Sequence, residues 1–204
     1  LPGLHGLRVM PDVHWGNGAT VGSVIAMEQA LAPAAVGVDI GCGVNAVKTS
    51  LKLEDLSETD LKALRKRFEN IIPVGNGPGG QYKNAGEQLT FLGHFGAQTA
   101  EFLGTVRDIR VDLTSTRKDG SVIRDDSAIR QNTWNQMGSL GGGNHFIELT
   151  KDANNDIWIT LHSGSRNIGQ VIANKHIEIA MKDPRNKDLP EHLQELSLFY
   201  KETP

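Results

Sequence analysis

Through the first fifty residues, apolar positions come in short runs, and each run ends at a glycine or another turn residue. Leu7-Arg8-Val9-Met10, Thr20-Val21-Gly22-Ser23-Val24-Ile25, Val36-Gly37-Val38-Asp39-Ile40 and Val44 to Thr49 read as strands. The period then changes. Leu61, Leu64 and Phe68 recur at helical spacing, with Ser57 as a cap, Asp60 three residues on, and Pro73 just past the end. Gly75 to Gly80 is a glycine-rich loop, and Glu87 to Val106 reads as a second helix interrupted by glycines. Asp112 to Asp126 is polar and charged, as an exposed excursion would be.

Beyond the glycine run Gly138-Ser139-Leu140-Gly141-Gly142-Gly143, two β-rich stretches follow, Phe146 to Thr150 and Ile157 to Leu161. The turn residues of Lys151 to Asp156 between them predict a hairpin. Ser163-Gly164-Ser165 then reads as the cap of a helix from Ile168 to Lys182 that stops before Pro184. Strands and helices mix without a regular βαβ rhythm. The expected class is therefore α+β, a mixed or antiparallel sheet core flanked by helices.

Composition narrows the setting. A chain of 204 residues suits one large domain or two small ones. No apolar run reaches the length of a membrane span, and Leu1-Pro2-Gly3-Leu4-His5 does not read as a signal peptide. The first residue is not Met, which suggests a start within a longer protein. A single Cys excludes an intramolecular disulfide and points to a reducing compartment, the cytoplasm. A net charge of −3 provides no global basic footprint, so any nucleic-acid-binding surface must be local. The 23 glycines cluster, as loops around a ligand do.

The hairpin register carries the first chemical expectation. A turn centred between Ala153 and Asn154 sets Leu149 against Trp158, Ile147 against Thr160 and His145 against His162. Directly opposed side chains in an antiparallel ladder stand roughly 4.5–5.5 Å apart. Two imidazoles so placed suit a metal each, or a shared one; they equally suit a half-buried, hydrogen-bonded pair. A slip of one residue would send one of them to the other face. Asp39 and Cys42 lie three apart among glycines, where a carboxylate and a thiolate suit a divalent ion, and where a small buried thiol is the plainer alternative. Asp39, Cys42, His145 and His162 together form a mixed oxygen, sulfur and nitrogen set whose first-choice metal is zinc. Asp12 and His14 precede a glycine loop, either as a polar wall of the site or as a strand-end turn. Arg166 follows Ser163-Gly164-Ser165, where a helix N-terminus and a guanidinium fork favour phosphate.

Read jointly, the motifs resemble the RtcB family of RNA-splicing ligases across nearly the whole chain. The matching blocks are MPDVHWGNGATVGSVIA (Met10 to Ala26), AAVGVDIGCGVNAVKTS (Ala34 to Ser50), MGSLGGGNHFIEL (Met137 to Leu149) and LHSGSRNIG (Leu161 to Gly169). The resemblance implies two manganese ions in place of zinc. Cys42 would bridge them, Asp39 and His145 would hold one, and His162 the other, with Asp39 and Cys42 in catalytic roles. It also implies that Asn144, His145, Phe146 and Glu148 contact GTP, and that Asp12, His14 and Arg166 handle RNA ends or phosphate.

The implied reaction joins an RNA 3′-phosphate or 2′,3′-cyclic phosphate end to a 5′-hydroxyl end through a guanylylated histidine. The implied partners are tRNA halves or broken RNA, and an archease-type activator; no membrane is expected. The family's nucleophilic histidine lies in a C-terminal Ser-x-x-His-Gly-Ala-Gly-type motif, and neither His176 nor His192 has that context. Residues 1–204 are therefore expected to be part of an RtcB-like catalytic domain. The alternatives are a metal- or RNA-binding fragment without ligase activity, and a dinuclear phosphoesterase.

Overall fold

A computed structural model describes residues 1–16, 18–74, 101, 104–109, 112–116 and 121–202. In chain order the elements are β1 (Leu4–His14), β2 (Val21–Met27), β3 (Ala30–Leu31), α1 (Pro33–Val36), β4 (Gly43–Lys52), α2 (Glu58–Ile71), β5 (Ser115–Thr116) and β6 (Val122–Arg124). Then come α3 (Asp126–Gln136), β7 (Phe146–Lys151), β8 (Asp156–Ser163), α4 (Ile168–Lys182) and β9 (Phe199–Tyr200). Every described strand pairing is antiparallel, and with the helices this is the expected α+β class. The chain forms two compact units, Leu1–Ile40 with Gly169–Pro204, and Gly41–Ile168.

In the first unit β1 pairs with β2 from Leu4↔Met27 to Val9↔Ser23, and again at His14↔Val21. Five steps along β1 thus oppose two along β2, so residues 10–13, which include Pro11, bulge out of the ladder. Gly22 makes room for the bulge: its φ is +86°, and a Cβ there would lie 3.1 Å from the Val13 α-carbon. The strand expected over Val36–Ile40 does not form. Pro33 at the first helical position starts the short helix α1, and Gly37, at φ 120°, follows it into a bend. Ala32, Ala34, Leu196 and Leu198 make the unit's small core, beside the pairing of Ala30 and Leu31 with Tyr200 and Phe199.

Just past α4, Asp183 takes the backbone N–H of Arg185 at 2.9 Å and its guanidinium Nη2 at 2.6 Å. The Arg185 side chain first, and then its backbone N–H, holds this carboxyl down at about 2. A depressed folded value means the contact stabilises fully above the carboxyl's ordinary range and fades only as pH falls toward 2. Carboxyl-detected NMR should accordingly find Asp183 still ionised at about pH 3, below the ordinary Asp value of ≈ 3.9. Arg185→Ala should return the midpoint to the ordinary range; an ordinary midpoint in the parent chain would refute the contact.

In the second unit the strand order is β4-β8-β7. The β7–β8 turn forms around Asp152, whose Oδ1 accepts the N–H groups of Asn154 (2.8 Å) and Asp156 (3.0 Å), and whose Oδ2 accepts Trp158 Nε1 (3.1 Å). Asn155 completes the turn in the left-handed region, at φ 60°. Asp156 receives Lys48 Nζ at 2.6 Å and Lys52 Nζ at 2.5 Å, which ties β4 to the same end and keeps this carboxyl below the usual range. The alternation in β4 predicted a strand but not burial: Val44 and Val47, on opposite faces, are each 62% exposed.

Helix α2 begins as expected, with Ser57 and Asp60 in a reciprocal capping box. Helix α3 was not expected. Its cap is Asp125, which accepts from Ala128 N at 2.8 Å, and its buried stripe is Ile129, Thr133 and Gln136. The polar stretch before it contributes the short β5–β6 pair. The expected glycine loop Gly75–Gly80 lies outside the described residues, as does most of the helix expected over Glu87–Val106, of which 101 and 104–106 are helical. Among the described residues no helix is long and apolar enough to cross a membrane.

Candidate functional site

The end of the three-stranded sheet opposite the Asp152 turn is where β7 starts, β8 finishes and β4 starts. There the ladder reads Val44↔His162↔Phe146. The expected register is corrected by one residue: His162 faces Phe146 and not His145, Ile147 faces Leu161, and Leu149 faces Ile159. The reason lies in the turn. Asp152 and the left-handed Asn155 build an odd loop between the paired Lys151 and Ile157, centred on Asn154.

The imidazoles nevertheless meet. The His145 and His162 ring centroids are 5.3 Å apart and nearly perpendicular, at 80°. His145 precedes the first paired residue of β7, so the alternation of the ladder does not bind it. Its ring reaches His162 from the incoming loop. Phe146 touches His162 edge-on from its own paired position, at 5.5 Å. Glu148 is two residues further along β7, on the same face as Phe146. Asn144 is exposed in the turn just before His145.

Cys42 is exposed and directly precedes β4, whose first pair is Gly43↔Ser163, next to His162. Asp39 falls in the other unit, in the bend after α1. Asp12 and His14 also belong to that unit, on β1, where His14 Nδ1 is 2.9 Å from the Asp12 carbonyl oxygen. Among the described residues, no group of three or more His, Cys, Asp or Glu side chains is gathered closely enough to hold a metal ion. The pair His145–His162 fits two nitrogen ligands, which is part of a coordination sphere and not a closed one.

Helix α4 does not start directly after Ser163–Ser165. Ser163 ends β8, and Arg166 and Asn167 adopt left-handed φ of 59° and 72° before the helix starts at Ile168. The Arg166 guanidinium turns back into the second unit, to Ser139 and Leu140. Beside the histidine pair lies a cavity of about 810 Å³, lined by Leu61, Phe68 and Ile72 near α2, and by His145, Phe146 and Glu148. The α2 wall was not anticipated as part of the site, although its Leu61/Phe68 spacing was the signal for an apolar face seeking cover.

The family described as "tRNA-splicing ligase RtcB" matches the chain over residues 1–204. The chain is similar to "RNA-splicing ligase RtcB" of Escherichia coli (strain K12), 40% identical over 177 residues, which is 87% of this chain and 40% of the relative. It is also similar to "tRNA-splicing ligase RtcB" of Thermococcus kodakarensis, 31% identical over 214 residues, covering 93% of this chain and 44% of the relative. "RNA-splicing ligase RtcB" of Mycobacterium tuberculosis is 30% identical over 208 residues, 87% of this chain and 46% of the relative. The chain thus spans less than half the length of these curated relatives.

Proposed function

Because the chain belongs to the RtcB family of tRNA-splicing ligases, we propose that it provides the metal and guanine-nucleotide seat of an RNA ligase acting in the cytoplasm. The observation that carries this reading is the perpendicular His145–His162 pair, whose His145 lines a nucleotide-sized cavity together with Phe146 and Glu148. In this reading the histidines would supply imidazole nitrogens to Mn(II), with Cys42 and Asp39 as further ligands. The metal, when bound, neutralises charge on phosphate oxygens and orients them.

The protein's own residues do the positioning. Phe146, apolar and 38% exposed, offers a flat face to the guanine base. The Glu148 carboxylate is an acceptor for the base's N–H groups, and the Asn144 amide is a donor for a phosphate oxygen. Asp12 and His14 meet the RNA end. The RNA ends are a 3′-phosphate or 2′,3′-cyclic phosphate and a 5′-hydroxyl, as in tRNA halves or broken RNA. GTP supplies the guanylyl group that activates the 3′ end, and an archease-type protein is the proposed activator.

The chain's own share of the reaction is binding and not covalent catalysis. Guanylylation needs a nucleophile held in line with the α-phosphate, and among the described residues neither His176 nor His192 is placed with the pair. His176 sits within α4, with Nδ1 2.8 Å from the Ile172 carbonyl oxygen, and His192 lies in the 3₁₀ turn Glu191–Leu196. The test incubates the 204-residue chain with manganese and α-labelled GTP, then separates bound from free nucleotide before and after denaturation. Manganese-dependent binding that denaturation releases is the expected result. No nucleotide binding at all would defeat the proposal, and label retained on His176 or His192 would make the chain a self-sufficient guanylyltransferase.

A further inference from the structure

We propose that Arg166 is a positioning residue: its guanidinium clamps the loop before β7 and so holds the His145 imidazole against His162. The need for such a clamp follows from the register. His162 is fixed in the central strand by partners on both sides, whereas His145 lies outside the ladder and receives no orientation from it. Some contact beyond the sheet must therefore set the ring pair.

The guanidinium supplies that contact. Its Nη1 donates to Ser139 Oγ at 2.9 Å and its Nη2 to the Leu140 carbonyl at 2.9 Å, both on the glycine loop leading to His145. Its Nε donates to the Gly164 carbonyl at 3.0 Å, on the loop leaving His162. One planar fork thus ties together the two loops at the open end of the hairpin, which a lysine's single ammonium point cannot reproduce. Three of the N–H groups a phosphate would otherwise receive are spent on the protein itself.

The glycine run makes the approach possible. Gly141 has φ +100°, and a Cβ built there would lie 2.0 Å from Arg166 Nη2 and 2.6 Å from His145 Nδ1. Guanidinium and imidazole therefore crowd the same bare α-carbon. Arg166 is itself left-handed, at φ 59°, a conformation a non-glycine residue keeps only where its surroundings over-determine it.

The proposal rests on the ligase reading only in naming what the ring pair is for. Its test therefore reads the rings directly, by the NOE between the imidazole protons of His145 and His162 in the metal-free chain. Manganese affinity and thermal midpoint are measured alongside. Arg166→Ala should abolish the NOE and weaken manganese about 10–100-fold, the usual cost of losing a group that orients a metal ligand. Arg166→Lys should restore neither. An intact NOE and unchanged manganese affinity in Arg166→Ala would overturn the proposal, also if nucleotide binding alone were lost, which would mark a phosphate contact instead. If Arg166→Ala does not fold, Ser139→Ala removes one of the three bonds; a weakened NOE supports the clamp and an unchanged one overturns it. A parent chain that shows the NOE but binds no manganese would refute the ligase reading and leave the clamp to be judged on the NOE.

Discussion

Removing the His162 imidazole is expected to lower manganese affinity by at least about 100-fold, above the 10–100-fold range for groups that merely orient a metal ligand. His162 is the better placed of the two histidines for a clean test. Its strand is paired on one side through Val44 and on the other through Phe146, so its backbone position does not depend on its side chain. His162→Ala leaves that ladder intact and removes one ring from a contact whose partners, His145 and Phe146, come from loop and strand respectively. The double variant His145→Ala/His162→Ala should lose further affinity beyond His162→Ala alone, since it also removes the imidazole that would remain with Cys42 and Asp39. Manganese titration by electron paramagnetic resonance reads the loss, and circular dichroism checks that the sheet survives. Parent-like affinity in His162→Ala would remove this histidine from the site.

The strands that frame the site were legible because their signals are local. Alternation and β-branched residues marked β7 and β8, turn residues marked the gap between them, and a capping box marked the start of α2. What local pattern did not carry was parity. Lys151 to Asp156 is rich in turn formers for an even or an odd loop alike, and the choice was made by the carboxylate of Asp152 closing on Asn154 and Asp156. The histidines meet despite the altered register because one of them is not in the ladder. The proximity was thus expected on a pairing that does not exist, and is achieved through a loop.

Other features were hidden because their causes are distant in sequence. The two-residue strands β3 and β9 exist only through each other, Ala30 against Tyr200 and Leu31 against Phe199. The run Val36–Ile40 has strand composition, but Pro33 before it and Gly37 within it decided for a helical turn and a bend. Helix α3 has a sparse apolar stripe, and its stability comes from groups that hydropathy ignores. Asp125 caps it, and Arg130 on it reaches Asp126 and the carbonyls of Val106 and Ile109. Arg166 next to an expected helix cap suggested phosphate; nothing in the local pattern signalled that the guanidinium also reaches the carbonyl oxygens of Leu140 and Gly164.

The largest loss of stability is expected from Asn186→Ala. Asn186 ends the 3₁₀ turn Pro184–Asn186 and is fully buried. Its Nδ2 donates to the carbonyls of Ala180 (2.7 Å) and Leu198 (2.9 Å), and its Oδ1 accepts from Leu198 N (3.2 Å) and Tyr200 Oη (3.4 Å). One side chain thereby stitches the last turn of α4 to the segment that forms β9. The Ala180 carbonyl keeps a second partner, the Asp183 N–H at 3.1 Å, so its loss is partial. Leu198 is fully buried and would be left with both backbone groups facing an apolar methyl. At about 1–3 kcal/mol for each buried group left unpaired, the variant should lose roughly 3 kcal/mol. For a chain of this size that is a fall of about 6–12 °C in the thermal midpoint, at roughly 2–4 °C per kcal/mol. Asn186→Leu, with the same branched outline but a bulkier side chain, refills the space without the bonds and should recover at most the packing share of the loss. Asn186→Asp should be no better than Asn186→Ala, because an acceptor would then point at two carbonyl oxygens. A loss below about 1 kcal/mol in Asn186→Ala, within the net worth of a single ordinary hydrogen bond, would show that this asparagine does not hold the segment in place.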